Sequence, residues 1–104
     1  MSEEKLTKKG VSKRLNKWGK MRYEYLRDYK PHLYKDMTPD ELLNHLLSLQ
    51  ERVETVRKRL FQHLLTEDRE LKQVRGINPQ EYYKLLNMGI LQIEEVIKHD
   101  MIYV

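Results

Sequence analysis

Seven cations stand close together near the start of this chain: Lys13, Arg14, Lys17, Lys20, Arg27, Lys30 and Lys35. Interleaved with them are Trp18, Tyr23, Tyr25, Tyr29 and Tyr34. Cations at helical spacing can neutralise successive phosphates, and aromatic rings beside them can stack on bases. Contact with DNA or RNA is the chemistry this pattern offers. The same pattern also describes a solvated helix face whose aromatic residues belong to the core. Spacing favours that second reading for Trp18 and Tyr25, which fall on the apolar stripe. No zinc-finger, homeodomain or RNA-recognition signature accompanies the cations. No short helix follows a tight glycine turn, so a helix-turn-helix is not supported.

Arg22 stands apart from the other cations because it falls on that apolar stripe, between Trp18 and Leu26. A buried guanidinium needs a carboxylate or a stacked ring. Glu94 and Glu95 are the expected partners, in an internal ion pair that fixes helix register. Two further pairs, Glu41/His45 and Glu95/His99, could each present two ligands on one helix face. Both are spaced i, i+4, whereas helical di-iron sites use Glu-x-x-His at i, i+3. Exposed helix polarity explains them, so no metal or other cofactor is expected. His32 and His63 stand alone. There is no nucleophile elbow, no glycine-rich phosphate loop and no paired carboxylates over a plausible cleft. The sequence argues against an enzyme.

Charge is unevenly distributed. Residues 1–35 carry eleven Lys/Arg against four Asp/Glu, a balance of +7, and residues 36–104 carry nine against twelve, a balance of −3. A basic third joined to a mildly acidic remainder points to a polyanion partner at one end. Mutual neutralisation of the two parts across the fold is the alternative. The chain has no cysteine, which removes disulfides and thiolate metal sites and suits a reducing compartment. The opening residues lack an apolar signal region, and no apolar run reaches the roughly 20 residues of a membrane span. A soluble cytoplasmic protein with no membrane contact is the expectation.

The elements that must position these residues are helices, because no segment alternates apolar and polar over a strand's length. Residues 1–10 read as a flexible leader, and residues 11–104 as a single helical domain. Ser12 is a plausible N-cap for a first helix running to about Lys30, with Leu15, Trp18, Tyr25, Leu26 and Tyr29 as its buried stripe. Pro31 ends it and can open a short turn through His32–Asp36. Thr38-Pro39-Asp40-Glu41 is a capping box with Pro at the first helical position. The helix it starts carries Leu42, Leu46, Leu49, Val53, Val56, Leu60 and Leu64, close to a heptad seam. Asn78-Pro79-Gln80-Glu81 repeats the capping logic for a last helix containing Gly89, where close approach of a neighbour is the expected reason for a glycine. The apolar tail Met101-Ile102-Tyr103-Val104 predicts a return to the core or contact with another chain. The fold class is all-α: a small helical bundle or long antiparallel helical hairpin with three main helices. A thin bundle of this kind often pairs to bury a wide seam, so a homodimer is one of the states open to it.

The basic-aromatic segment, read with the C-terminal end, resembles the transposon-encoded TnpV family. The residues that carry the resemblance begin with Gly19-Lys20-Met21-Arg22, Tyr25-Leu26-Arg27, Lys30-Pro31 and Leu33-Tyr34. Leu42/Leu43 with His45-Leu46 follow. Leu86-Asn87, Glu94-Glu95-Val96-Ile97 and Met101-Ile102-Tyr103 complete the set, so that roughly residues 17–103 are covered. The resemblance implies a bacterial mobile genetic element and an accessory role in its movement, without catalytic residues to carry over. The leading functional expectation is therefore a non-enzymatic accessory protein that contacts nucleic acid through its basic N-terminal helix. The alternative is a protein-interaction module that inhibits or modulates a nuclease or recombinase, as an anti-CRISPR-type inhibitor does.

Overall fold

Capping side chains set the boundaries of the helices. In the computed structural model, which describes residues 5–104, the Thr7 hydroxyl accepts from the Gly10 amide and starts α1, Lys8–Ser12. The Asn16 side chain accepts from the Trp18 and Gly19 amides, 2.9 and 3.2 Å away, and starts α2, Lys17–Tyr29. Pro31 opens α3, Pro31–Asp36, where its missing amide costs nothing. At Thr38 the capping box closes in both directions. The Thr38 hydroxyl accepts from the Glu41 amide at 3.2 Å, and the Glu41 carboxylate accepts from the Thr38 amide at 3.0 Å. These bonds hold the Glu41 carboxyl below the usual carboxylate range. They start α4, Pro39–Glu67, the longest element at 29 residues.

Asp68 then caps α5, Arg69–Val74. Gly76 stops that turn with φ +79°, a left-handed conformation that glycine adopts without steric cost. Asn78 caps α6, Pro79–Ile97. Its side chain accepts from the Glu81 amide, but the reciprocal bond from Glu81 that the sequence suggested is not made. A π-helical turn, Lys98–Ile102, ends the fold.

The expected single helix from Ser12 to Lys30 is thus two helices, and Ser12 ends the first of them. The reason is local: Asn16 offers its side chain to two amides at once, which a mid-helix residue cannot do. The leader boundary expected at residue 10 falls inside α1. Val11 is fully buried and Leu6 packs against the core, while residues 1–4 lie outside the described residues.

α2 and α6 each run antiparallel to α4, but at different ends of it. This defines two regions. In the head, α1, α2, α3, the first half of α4 and the π-helical turn enclose two adjoining apolar clusters. One joins Val11, Leu15, Tyr23, Leu26, Leu42 and Leu46, and the other joins Trp18, Leu49, Val53, Ile97 and Ile102. The tail residue Ile102 is fully buried there, as its apolar character predicted. In the arm, the second half of α4, α5 and most of α6 form a thinner assembly. Between residues 54 and 96 only Leu71 and Gly89 are buried. A Cβ at Gly89 would lie 2.6 Å from the Leu64 side chain, so glycine is what lets the two helices approach there. The molecule measures 62 × 31 × 18 Å, with a radius of gyration of 18.2 Å. A compact chain of this length has about 13 Å. No helix among the described residues is long and apolar enough to cross a membrane.

The buried stripe of α2 differs from expectation. Leu15, Trp18 and Leu26 are buried, but Tyr29 is 73% exposed and Tyr23 takes its place. Tyr23 meets the Tyr34 ring edge-on at 5.7 Å, with the two hydroxyls 3.1 Å apart. Burial and that hydrogen bond push the Tyr23 phenol up to about 12. α3 brings Tyr34 into place because Pro31 breaks the chain direction after α2.

Candidate nucleic-acid interface

α2 and its flanking turns divide the seven candidate cations into two groups. Lys13 and Arg14 lie in the turn between α1 and α2, with Lys17 and Lys20 in the first turn of α2. Arg27 and Lys30 lie at its other end, and Lys35 on α3. The length of α2 separates the groups by roughly 20 Å. The start of α2 is fixed on α4 by Gln50, whose Oε1 accepts from the Asn16 amide at 2.8 Å. The buried Gly19 admits the Gln50 side chain, which leaves no space for a Cβ there.

All seven cations are exposed, but they are not equivalent. Lys17 forms an ion pair with Glu94 at 2.9 Å and sits 4.8 Å from the centre of the Trp18 ring. Arg27 pairs with the adjacent Asp28 at 2.9 Å. That pairing raises the guanidinium pKa and holds the Asp28 carboxyl low. Lys13, Arg14, Lys20, Lys30 and Lys35 make no ion pair among the described residues. Glu24 and Asp28 interrupt the basic face of α2, so the helix presents two cationic ends and not a continuous stripe.

Arg22 does not form the ion pair expected with Glu94 or Glu95. Its Nη1 donates to the backbone oxygens of Ile102 and Val104, both at 2.8 Å, and its guanidinium lies 5.5 Å from the Tyr25 ring centre. The carbonyls at the end of the final turn have no helical partners, and a planar cation on the facing helix supplies donors. Glu94 is occupied by Lys17, and Glu95 by Lys98 at 3.4 Å. Burial lowers the Arg22 pKa, and nearby Arg52 adds to that lowering.

Lys8 and Arg52 carry no mark in the sequence pattern, and His45 stands out there only as a partner for Glu41. Lys8 Nζ donates to the Tyr34 and Lys35 carbonyls at 2.6 and 3.2 Å, clamping α1 onto the C-terminal end of α3. Its only sequence signal was its place among other lysines, which reads as solvated charge. His45 and Arg52 share with Arg22 a pocket of about 250 Å³ that reaches Asp100 and Val104. Burial, then Arg22 and Arg52, push the His45 imidazole below its ordinary value, so it stands neutral at pH 7. The two carboxylate–histidine pairs are each divided. Glu41 serves the Thr38 cap while His45 faces the arginines, and Glu95 meets Lys98 while His99 meets Asp100 at 2.7 Å.

These features define a class: an elongated all-α protein whose head presents separate cationic ends of one helix, held by backbone-directed cations. Residues 3–102 match the model of the family described as transposon-encoded protein TnpV, and the chain belongs to that family. It is thereby a transposon-associated protein. No curated protein matches the chain, and no solved structure does.

Proposed function

We propose that this protein is a non-enzymatic accessory factor of its mobile element that acts in the cytoplasm and contacts nucleic acid through the cationic ends of α2. The observation that carries this reading is where the charge lies. Residues 54–97 hold seven Lys/Arg and seven Asp/Glu, so the whole net charge of +4 belongs to the rest of the chain. Within that remainder, Lys13, Arg14 and Lys20 at one end of α2 and Lys30 and Lys35 at the other are exposed and free of ion pairs among the described residues. A nucleic acid lying along α2 meets both groups. The aromatic residues serve the fold in this reading, with Trp18 and Tyr23 in the core, so phosphate contact and not base stacking supplies the affinity.

The test is the salt dependence of binding to a short DNA duplex and to a single-stranded RNA, followed by fluorescence anisotropy. Five phosphate contacts give a slope of log K against log salt of about −4.5 on duplex DNA. Charge reversal at Lys13, Lys20 and Lys30 together abolishes binding while leaving the helical circular dichroism unchanged. Absence of binding at low salt overturns the reading. So does a nuclease or recombinase protein that co-purifies with the chain equally well before and after nuclease treatment, because that outcome assigns the head to a protein partner.

A further inference from the structure

The arm is built as half of something. Leu60 and Leu64 of α4 and Gly89, Ile93 and Val96 of α6 line a groove of about 600 Å³, together with His63, Glu67 and Gln92. α5 reaches only its end, where Asp68 and Arg69 lie. Met88, 50% exposed, and Val96, 47% exposed, sit one turn to either side of the groove residue Gln92 on α6. Two antiparallel helices with an open apolar groove are one layer of a four-helix bundle.

Two considerations identify the missing layer as a second copy of the chain. The first is area. The protein exposes 7933 Å², whereas a compact monomer of 12.7 kDa exposes about 6,200 Å². The excess of about 1,700 Å² is carried by the elongated chain as a whole, and covering about half of it would supply the roughly 800 Å² each partner contributes to a stable interface. The second is charge. The arm is neutral, with seven Lys/Arg and seven Asp/Glu in residues 54–97, so two arms meet without net repulsion although the heads are basic. A strongly charged partner would gain nothing from such a surface.

We infer that two copies pair arm to arm through the α4/α6 groove in an isologous dimer, with α4 and α6 of each forming a four-helix seam. The two-fold axis passes near Gln92, so groove residues of one protomer meet the same residues of its partner. The heads lie outside the seam and stay open to solvent.

The full chain is tested by sedimentation equilibrium across micromolar concentrations. A mass of twice 12.7 kDa is expected. Met88→Glu and Val96→Glu are each made on a half-exposed residue, which spares the monomer fold. Each should raise the dimer dissociation constant on the order of 100-fold, because each buries an unpaired carboxylate in the seam. Leu33→Glu, on the head, leaves it unchanged. The chain has no cysteine, so Gln92→Cys gives a clean second probe. Mild oxidation links it between protomers, whereas Lys20→Cys on the head stays unlinked. A monomer throughout the micromolar range overturns the proposal. A dimer that tolerates both carboxylates and does not cross-link at residue 92 overturns it equally.

Discussion

One helix runs through both the head and the arm, and it is packed differently in each. The seam of α4 keeps its heptad spacing from Leu42 to Leu60 and adds Leu64 one turn further on. In the head, Leu42, Leu46, Leu49 and Val53 are at most 4% exposed. In the arm, Val56, Leu60 and Leu64 remain half-buried on the same stripe. Apolar periodicity states which side of a helix favours burial, but not how many neighbours will arrive to cover it. The head receives α1, α2, α3 and the π-helical turn. The arm receives α6 and the six residues of α5.

The largest effect that tests this contrast comes from matched truncations. Leu46→Ala, in the closed head, is expected to cost about 3 kcal/mol. Leu64→Ala, in the open arm, should cost below about 1.5 kcal/mol in dilute solution. Urea denaturation of the two variants measures the difference, and equal losses would erase the distinction between the regions. The Arg22 clasp comes next. Arg22→Leu removes two charge-assisted bonds to the final turn and should destabilise the head by about 2 kcal/mol. Amide exchange should quicken in residues 98–104 and not in residues 79–92. Acceleration in both would mean the arm depends on the clasp.

Caps supply a smaller, paired comparison. Thr38→Ala breaks a reciprocal box at the head end of α4 and should cost about 1 kcal/mol, while Asn78→Ala breaks a one-sided cap in the arm and should cost about 0.5 kcal/mol. Thermal melts of the two variants rank them. The least effect is set by pH. His45 faces Arg22 and Arg52, and its folded-state pKa lies below the ordinary 6.5. The unfolded chain therefore takes up the proton first as pH falls below about 6.5, and head stability declines from there until the folded-state pKa is passed. Above that window His45 contributes no slope. The wild type should lose more melting temperature between pH 7.5 and 5.5 than His45→Gln, and parallel curves for the two would remove His45 from the account.

Much of the frame was legible in the residues. The capping box at Thr38, the proline at the start of α3, the long seam of α4, the close approach at Gly89 and the burial of Ile102 all follow from local chemistry or helical period. Two kinds of feature were not. The first is competition between equally good local signals. Ser12 and Asn16 are both able to cap a helix, and only the Asn16 amide also finds Gln50, 34 residues away. The second is pairing across the chain. Arg22 on an apolar stripe announces a need for partners, and the eye goes to carboxylates. The carbonyls that meet it belong to the last turn of a helix and carry no side-chain signature. The cation candidates are legible in sequence as a group along one helix and its flanking turns, but not that Glu94 engages Lys17 or that Asp28 engages Arg27.

The two apolar clusters of the head also differ in when their members can leave the ribosome. The first apolar cluster draws its buried members from residues 11–46 and can assemble once the start of α4 has emerged. The second needs Trp18 of α2 together with Ile97 and Ile102 from the far side of α6. Until Ile97 and Ile102 emerge, Trp18, Leu49 and Val53 lack those covering side chains. The interval between the emergence of α2 and that of Ile102 is thus when an apolar surface stands open and a chaperone has the most to shield.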